Sequence, residues 1–327
     1  MRHVVCHRLG PPSVLAVEEA PDPGSYPGRV IVEVEAAGVN FVDALLVAGS
    51  YQIKPPLPFT PGNEIAGRVV DVGEGVTGFA VGDRVMASIG LGGYATRVSV
   101  GTDALAHVPT GMDAPQAATF VQSYCTSLFA LRERGRAEAG QRVLVLGGGG
   151  GVGLAAIDVA RVLGLEVIAA ASTVDKRDAA LQAGASEVID TTGEDLKART
   201  RELTDGAGVD LVIDPIGGPA ATEALRTLRE GGRYAVIGFA SGTIPALPLN
   251  QVLLRNREVI GVDWGAWAMS HPVAQAALLA DLLEWAGTGR LHPVRPTLYS
   301  FDRVAEALQA LLDRQVTGKV ALLPRPA

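Results

Sequence analysis

Five consecutive glycines, Gly147 to Gly151, are followed by Val152 and Gly153. Only one register in this stretch satisfies G-x-G-x-x-G: Gly148, Gly150 and Gly153, with Gly151 and Val152 between the last two. Arg142–Leu146 before it has the apolar character of a strand, and Gly153–Leu163 after it has the spacing of a helix. A strand that turns sharply, leaves its backbone open and packs closely on the next helix can seat a diphosphate. The first turn of that helix adds N–H groups without acceptors and the positive end of the helix dipole. The motif alone is weak, but between a strand and a helix it is specific, and it points to a dinucleotide. The alternative is a glycine-rich structural turn.

Which dinucleotide is read from the next strand. NAD-binding sheets present an acidic residue to the ribose hydroxyls about 20 residues beyond the loop. Here the strand closes with Ala169-Ala170-Ala171, then Ser172 and Thr173, with Lys176 and Arg177 in the helix that follows. A hydroxyl and two cations suit a 2′-phosphate through charge-assisted hydrogen bonds. Ser172 and Lys176 are the candidate contacts and NADPH the expected cofactor. Asp175 competes with this reading, as does the view that the cations only decorate a helix start.

The elements around the loop change character along the chain. Roughly the first 120 residues are rich in Gly, Pro and Val, with alternating runs such as Arg29–Glu35, Glu64–Val72 and Gly82–Ala87. Short strands with closely spaced turns suggest a β-rich, barrel-like domain. From Pro115 strands and helices alternate: a helix over Ala117–Arg134, the strand Arg142–Leu146, the helix Gly153–Leu163, the strand Glu166–Ala171 and the helix Lys176–Ala183. Strands follow at Glu187–Asp190, Leu211–Asp214 and Tyr234–Ile237. This alternation implies an α/β fold with a doubly wound parallel sheet of Rossmann type. The tail from about Gly265 holds a long amphipathic helix (Val273–Ala286), a strand near Pro296–Tyr299, a helix (Phe301–Leu312) and a closing strand (Lys319–Leu323).

Composition narrows the partners. The net charge of −7 carries no basic block, which argues against nucleic acid. The two cysteines, Cys6 and Cys125, form no disulfide framework, and a reducing cytoplasm is expected. The N-terminus lacks an apolar signal core, and no apolar run approaches the roughly 20 residues of a membrane helix.

Several stretches together resemble the medium-chain dehydrogenase/reductase superfamily: Gly62–Val69, Val72–Val76 and Val81–Val85. Val39-Asn40-Phe41-Val42-Asp43, Gly49-Ser50-Tyr51, Lys54–Phe59, Ile237–Gly242, Leu253–Asn256, Val259–Val262 and Thr317-Gly318-Lys319-Val320 are similar to its quinone oxidoreductase branch. The resemblance runs in order over nearly the whole chain. It implies a GroES-like catalytic domain formed by 1–120 and 265–327, with a Rossmann NADP-binding domain, 121–264, inserted. It also implies a homodimer or homotetramer.

Zinc-dependent members of the superfamily place a Cys where Asn40 stands, a His where Asn63 stands and a second Cys near Val121. Neutral amides are poor zinc ligands, and two cysteines cannot supply a four-Cys structural lobe. No metal is expected. Alcohol oxidation then lacks its Lewis acid, whereas a quinone or enone accepts hydride with delocalised charge. The resemblance makes Asn40 and Tyr51 the residues facing the acceptor, with Asn63 a lesser candidate. It also puts Thr126 beside the nicotinamide, with Tyr124 next to it, and makes Phe239 and Val262 backbone contacts on the carboxamide side. Asn40 also reads as a turn residue and Tyr51 as a core residue. Cys125 replaces a common glycine and reads most simply as a small buried residue. Thr191 stands where some relatives carry an aromatic.

The expected activity is NADPH-dependent reduction of a quinone or related activated carbonyl, achieved by positioning. Reduction of enoyl thioesters or enones is the alternative within the superfamily. A non-catalytic NADPH-binding protein is the alternative from another class.

Overall fold

The computed structural model of the protein describes residues 1–324. They hold fifteen strands: β1 (Arg2–Cys6), β2 (Leu15–Glu19), β3 (Arg29–Val39), β4 (Glu64–Val72), β5 (Arg84–Ser88), β6 (Arg97–Gly101), β7 (Leu105–His107), β8 (Arg142–Leu146), β9 (Glu166–Ala171), β10 (Glu187–Asp190), β11 (Val209–Asp214), β12 (Leu228–Val236), β13 (Glu258–Gly261), β14 (Thr297–Ser300) and β15 (Val320–Leu323). The chain divides into two compact units. One is Met1–Gln122 with the chain from Arg295 on, and the other is Ser123–Val294. No helix among the described residues is long and apolar enough to cross a membrane.

The first unit holds a seven-stranded sheet in the order β14-β15-β3-β4-β5-β7, with β6 also paired to β3, and a two-stranded antiparallel sheet β1-β2. The long β3 serves β4, β6 and β15 along its length, with two register shifts against β4 that bend it. Its alternating side chains, Val30, Val32 and Val34, are buried with Ile65, Val69, Val85, Phe301, Leu308, Val320 and Leu322. Tail residues thus complete the core begun by the N-terminal strands.

The second unit is a six-stranded parallel sheet in the order β10-β9-β8-β11-β12-β13. The chain runs outward from β8 through β9 to β10 and then returns to the other side of β8 with β11. That reversal is the topological switch point of a doubly wound sheet, and ligands bind beyond the carboxyl ends of strands at such a point. Its strands, buried on both faces, read as near-continuous apolar runs, as Val143–Leu146 and Val167–Ala171 do.

Three features differ from the sequence reading. The helix expected over Ala117–Arg134 is interrupted. It appears as Ala114–Ala117, then Val121–Leu128, passing into a π-helical stretch over Phe129–Arg134. Thr119 Oγ1 lies 3.1 Å from the carbonyls of both Pro115 and Gln116, so it turns back on the first short helix. Second, β13 is a strand that periodicity did not reveal, because an exposed edge strand keeps little alternation. Third, residues 265–294 group with the second unit. The Trp267 ring packs on Phe129 with centroids 4.6 Å apart, Arg132 pairs with Asp281 at 2.6 Å, and Leu278 and Leu282 are buried.

Close backbone approach fixes one glycine of the first unit. A Cβ at Gly38 would lie 2.1 Å from the Ala118 carbonyl oxygen. Two backbones meet there and neither can rotate away. Gly38→Ala is therefore expected to cost about 1–3 kcal/mol of stability, the usual range for overpacking. Urea denaturation will show this as a lower midpoint at unchanged slope. An unchanged midpoint would mean that the carbonyl withdraws freely.

Candidate active site

The glycine loop leaves β8 at the carboxyl edge of the parallel sheet. Gly147 takes the left-handed turn at φ 60°, so the sharp bend falls one residue before the first motif glycine. A Cβ at Gly153 would lie 2.2 Å from the Gly147 carbonyl oxygen, so its absence lets the helix Gly151–Val162 close on the turn. At Gly150, the helix N-cap, a Cβ would meet only that same oxygen, at 3.4 Å. This is the open backbone position a diphosphate needs, and the first-turn N–H groups of the helix have no intrahelical acceptors. The residues fit a dinucleotide. The loop is also crowded at Gly149, where a Cβ would strike the Lys176 Cβ at 2.4 Å.

Register brings the other nucleotide candidates to the same edge. Leu146 is level with Ala170, Asp214 with Val236, and Val236 with Gly261. Ser172 and Val262 follow β9 and β13 immediately, Phe239 lies three residues past the end of β12, and all three share that edge with the glycine loop. Asp214, buried, accepts the Ile216 and Gly217 N–H groups at 2.8 Å each and the Tyr234 hydroxyl, which holds the loop after β11. Burial and the Asp214 carboxylate push the Tyr234 hydroxyl well above its ordinary range, so it stays a donor. Phe239 packs against Gly217 in that loop, and the Val262 N–H donates to the Val236 carbonyl at 2.9 Å.

The two cations beyond β9 have different surroundings. Arg177 pairs with Asp190 at 3.0 Å and is committed to the neighbouring strand. Lys176 stands in the first turn of the helix Val174–Ala183, its backbone N–H donating to the Thr173 hydroxyl, with Ser172 exposed ahead of it. Thr191 is exposed just past β10.

Thr126 is buried on the helix Val121–Leu128. Within the second unit this helix is docked on the one that follows the glycine loop. Tyr124 donates its hydroxyl to Asp158 at 2.9 Å, and Ser127 Oγ lies 3.4 Å from the Val152 carbonyl. Asp158 also accepts the His292 N–H at 2.7 Å and pairs with Arg161. Tyr124 is thereby a strut. Cys125 is fully buried, its sulfur 3.5 Å from Gln275 Nε2.

In the first unit Asn40 is the N-cap of the helix Phe41–Val47 and is nearly buried. Its backbone N–H donates to Asp43 at 2.8 Å, its side-chain Nδ2 to Glu64 at 2.8 Å, and its Oδ1 accepts from Lys319 Nζ at 2.6 Å. The Tyr94 hydroxyl donates to Asp43 at 2.9 Å, and the Gln122 N–H to the other oxygen of Glu64 at 2.6 Å. Asn63 is spent on Gln122, on the Ser88 hydroxyl and on the Gly90 N–H, and so latches a loop. Tyr51 follows the other end of the Asn40 helix and is half-buried against Cys6, Leu46, Val47 and Phe59. Lys319, Asp43 and Glu64, which surround Asn40, were not singled out as site candidates from the sequence. The available signal was a lone cation entering an apolar strand, Gly318-Lys319-Val320-Ala321, with acids at 43 and 64.

The chain is similar to known proteins over nearly its whole length. Residues 26–110 match the family described as alcohol dehydrogenase GroES-like domain, and 151–280 the one described as zinc-binding dehydrogenase. Quinone oxidoreductase-like protein 2 homolog of Nematostella vectensis is 37% identical over 324 residues, covering 98% of this chain and 88% of that one. The Bos taurus quinone oxidoreductase-like protein 2 is 36% identical, covering 98% and 92%. The chain belongs to the quinone oxidoreductase branch of the medium-chain dehydrogenase/reductase superfamily. The crystal structure of Escherichia coli quinone oxidoreductase complexed with NADPH superposes with a TM-score of 0.90 at 28% identity, over 99% of this chain and 100% of that one. As a member of this branch the protein is an oxidoreductase. Its β-rich unit is GroES-like and its parallel-sheet unit a Rossmann fold.

The Asn40 cluster carries a titration that can be measured. Burial pushes the Asp43 carboxyl from 3.8 up to about 6; bonds from Asn40 and Tyr94 oppose this and the Glu64 charge adds to it. The folded protein therefore binds this proton more tightly than the unfolded chain. The stability it contributes is full below about pH 4, declines as pH rises and is gone above about pH 6. Asp43→Asn is expected to gain on the wild type in unfolding free energy between pH 4 and pH 7. A difference constant across that range would place the proton elsewhere.

Proposed function

We propose that the protein uses NADPH to reduce a quinone, or a related activated carbonyl acceptor, without a metal. The observation that carries this reading is the commitment of the Asn40 amide to Glu64 and to the buried ammonium of Lys319. Zinc-dependent relatives have a thiolate at this position. A divalent ion placed here would meet an amide and a like charge 2.6 Å beyond its oxygen. The family description as zinc-binding matches residues 151–280, which include neither Asn40 nor Asn63.

NADPH, when bound, supplies the hydride. Gly148, Gly150, Gly151, Val152 and Gly153 offer its diphosphate backbone N–H groups and space. Ser172 and Lys176 hold the 2′-phosphate, supported by the NADPH complex of the Escherichia coli relative. Thr126, Phe239 and Val262 position the nicotinamide end. Asn40 and Tyr51 donate hydrogen bonds to the acceptor oxygen as negative charge develops on it. Rate then comes from orientation, since a quinone spreads that charge over its ring.

The domains in this reading are 1–122 with the tail for catalysis and 123–294 for the cofactor. The assembly is a homodimer or homotetramer. It is supported by the edge strand β13, where Val259 is 42% exposed and the backbone is open to another strand. Two buried free cysteines support a cytoplasmic setting.

NADPH oxidation against quinones, enones and enoyl thioesters tests the reading. A quinone is expected to give the highest kcat/KM and chelators to leave the rate unchanged. Asn40→Ala and Tyr51→Phe are each expected to cost tenfold or more, about what one donor to a developing oxyanion supplies. Full kcat/KM in both variants removes these residues from the reaction, and preference for an enoyl thioester moves the protein to the other branch chemistry. Lys176→Ala is expected to raise the KM for NADPH about tenfold, the size of one charge-assisted hydrogen bond. The KM for NADH should stay put, and an equal rise for both cofactors would clear Lys176 of reading the phosphate.

A further inference from the structure

The Asn40 amide sits between two groups that have no choice of role. An ionised carboxylate only accepts hydrogen bonds and an ammonium only donates them. Nδ2 lies 2.8 Å from Glu64 Oε2 and Oδ1 lies 2.6 Å from Lys319 Nζ. Turning the amide over would set donor against donor and acceptor against acceptor. An amide nitrogen has two protons, one of which is spent on Glu64; the second remains to be given.

We propose that Lys319 is a positioning residue for acceptor reduction: its buried ammonium locks the Asn40 amide with Nδ2 as the donor to the acceptor oxygen, and polarises that donor. This rests on the reading of Asn40 as a donor to the acceptor.

The surroundings of Lys319 support a role for its charge. It is 6% exposed and enters a strand whose Val320, Ala321 and Leu322 are fully buried. Its backbone is anchored because its carbonyl accepts the Thr297 N–H at 2.8 Å. Packing alone favours an apolar residue here, because a buried ion pair seldom outperforms hydrophobic residues of similar volume. The charges facing one another are the carboxylates of Asp43 and Glu64 and the ammonium of Lys319, which is 3.8 Å from Glu64. Negative charge arising on an acceptor oxygen beside two carboxylates is opposed by both. The ammonium offsets them, and the amide passes its polarisation on.

The test is a double-mutant cycle on the full-length protein, with NADPH and 1,4-benzoquinone as substrates. Asn40→Ala, Lys319→Met and the double variant are compared for kcat, KM, NADPH affinity by fluorescence and thermal midpoint. Lys319→Met is expected to lower kcat about tenfold or more, as loss of one preorganised donor does, while NADPH affinity holds. In the Asn40→Ala background the same change should cost less than about threefold, since residues acting as one unit are not additive. If Asn40→Ala is slow and the double variant loses the product of the two single effects, Lys319 acts by another route and the inference fails alone. If Asn40→Ala keeps full kcat, the acceptor role of Asn40 fails and takes the inference with it. Should Lys319→Met not fold, Lys319→Gln carries the comparison: it keeps a donor to Oδ1 without the charge. A kcat near wild type in Lys319→Gln overturns the role of the charge, and a fall of tenfold or more supports it.

Discussion

A carboxylate removed from water must be given partners or lose its charge. Both units are built around that requirement. In the first, Glu64 is given the Gln122 N–H, the Asn40 amide and the Lys319 ammonium, whereas Asp43 receives the Asn40 N–H and Tyr94 on one oxygen, its other oxygen has no partner, and burial pushes it toward its neutral form. In the second, Asp158 gathers Tyr124, Arg161 and the His292 N–H, and Asp214 gathers Tyr234 and the Ile216 and Gly217 N–H groups. Each acid captures at least one backbone N–H of a loop or turn and at least one side chain from elsewhere. Loops and turns at the ends of strands and helices are thereby tied to side chains from elsewhere in the same unit.

The glycines solve the complementary problem. A diphosphate must come within hydrogen-bond reach of backbone, and a helix must begin immediately beyond the strand. The turn at Gly147 aims the chain, Gly153 lets the helix settle on that turn, and Gly150 leaves the approach clear. Asp214 acts on the same place from below. The loop it holds puts the Ile216 side chain against Gly147, where a Cβ would lie 2.5 Å from it. Carboxylate and glycine loop are therefore one construction.

How much was legible before the structure follows from the range of each signal. The parallel sheet and the glycine loop depend on local patterns, and Arg142–Leu146, Glu166–Ala171 and Glu187–Asp190 appear with the bounds expected of them. The edge strand β13 and the break at Ala118–Phe120 were not legible, because an exposed strand loses its alternation and a threonine bonding backwards leaves no mark in hydrophobic spacing. The membership of 265–294 depended on Trp267 meeting Phe129 and Asp281 meeting Arg132, contacts between residues more than 130 apart. The Asn40 cluster has the same character: Asn40 was visible as a departure from a metal ligand, but its partner Lys319 lies 279 residues away. Arg177 shows the opposite case. A cation in the right stretch of sequence proved to be engaged by Asp190 on the next strand.

The cluster also bears on how the proposed metal-free reduction would proceed. Two acids and one ammonium leave an excess of negative charge, which would oppose the hydroquinone anion of the proposed reaction. Burial lessens the excess by holding the Asp43 carboxyl at about 6, so that near that pH a share of the protein carries it neutral. The ammonium lessens it further, although burial lowers the pKa of its amine, a shift that the charges of Glu64 and Asp43 oppose. In the proposed reaction the acceptor would meet a single fixed dipole, the Asn40 amide, whose direction is set by a donor on one side and an acceptor on the other. A fixed dipole does not have to reorganise as charge moves, which is where water loses to a folded site. On this argument the acids are the scaffold that makes a neutral amide point one way.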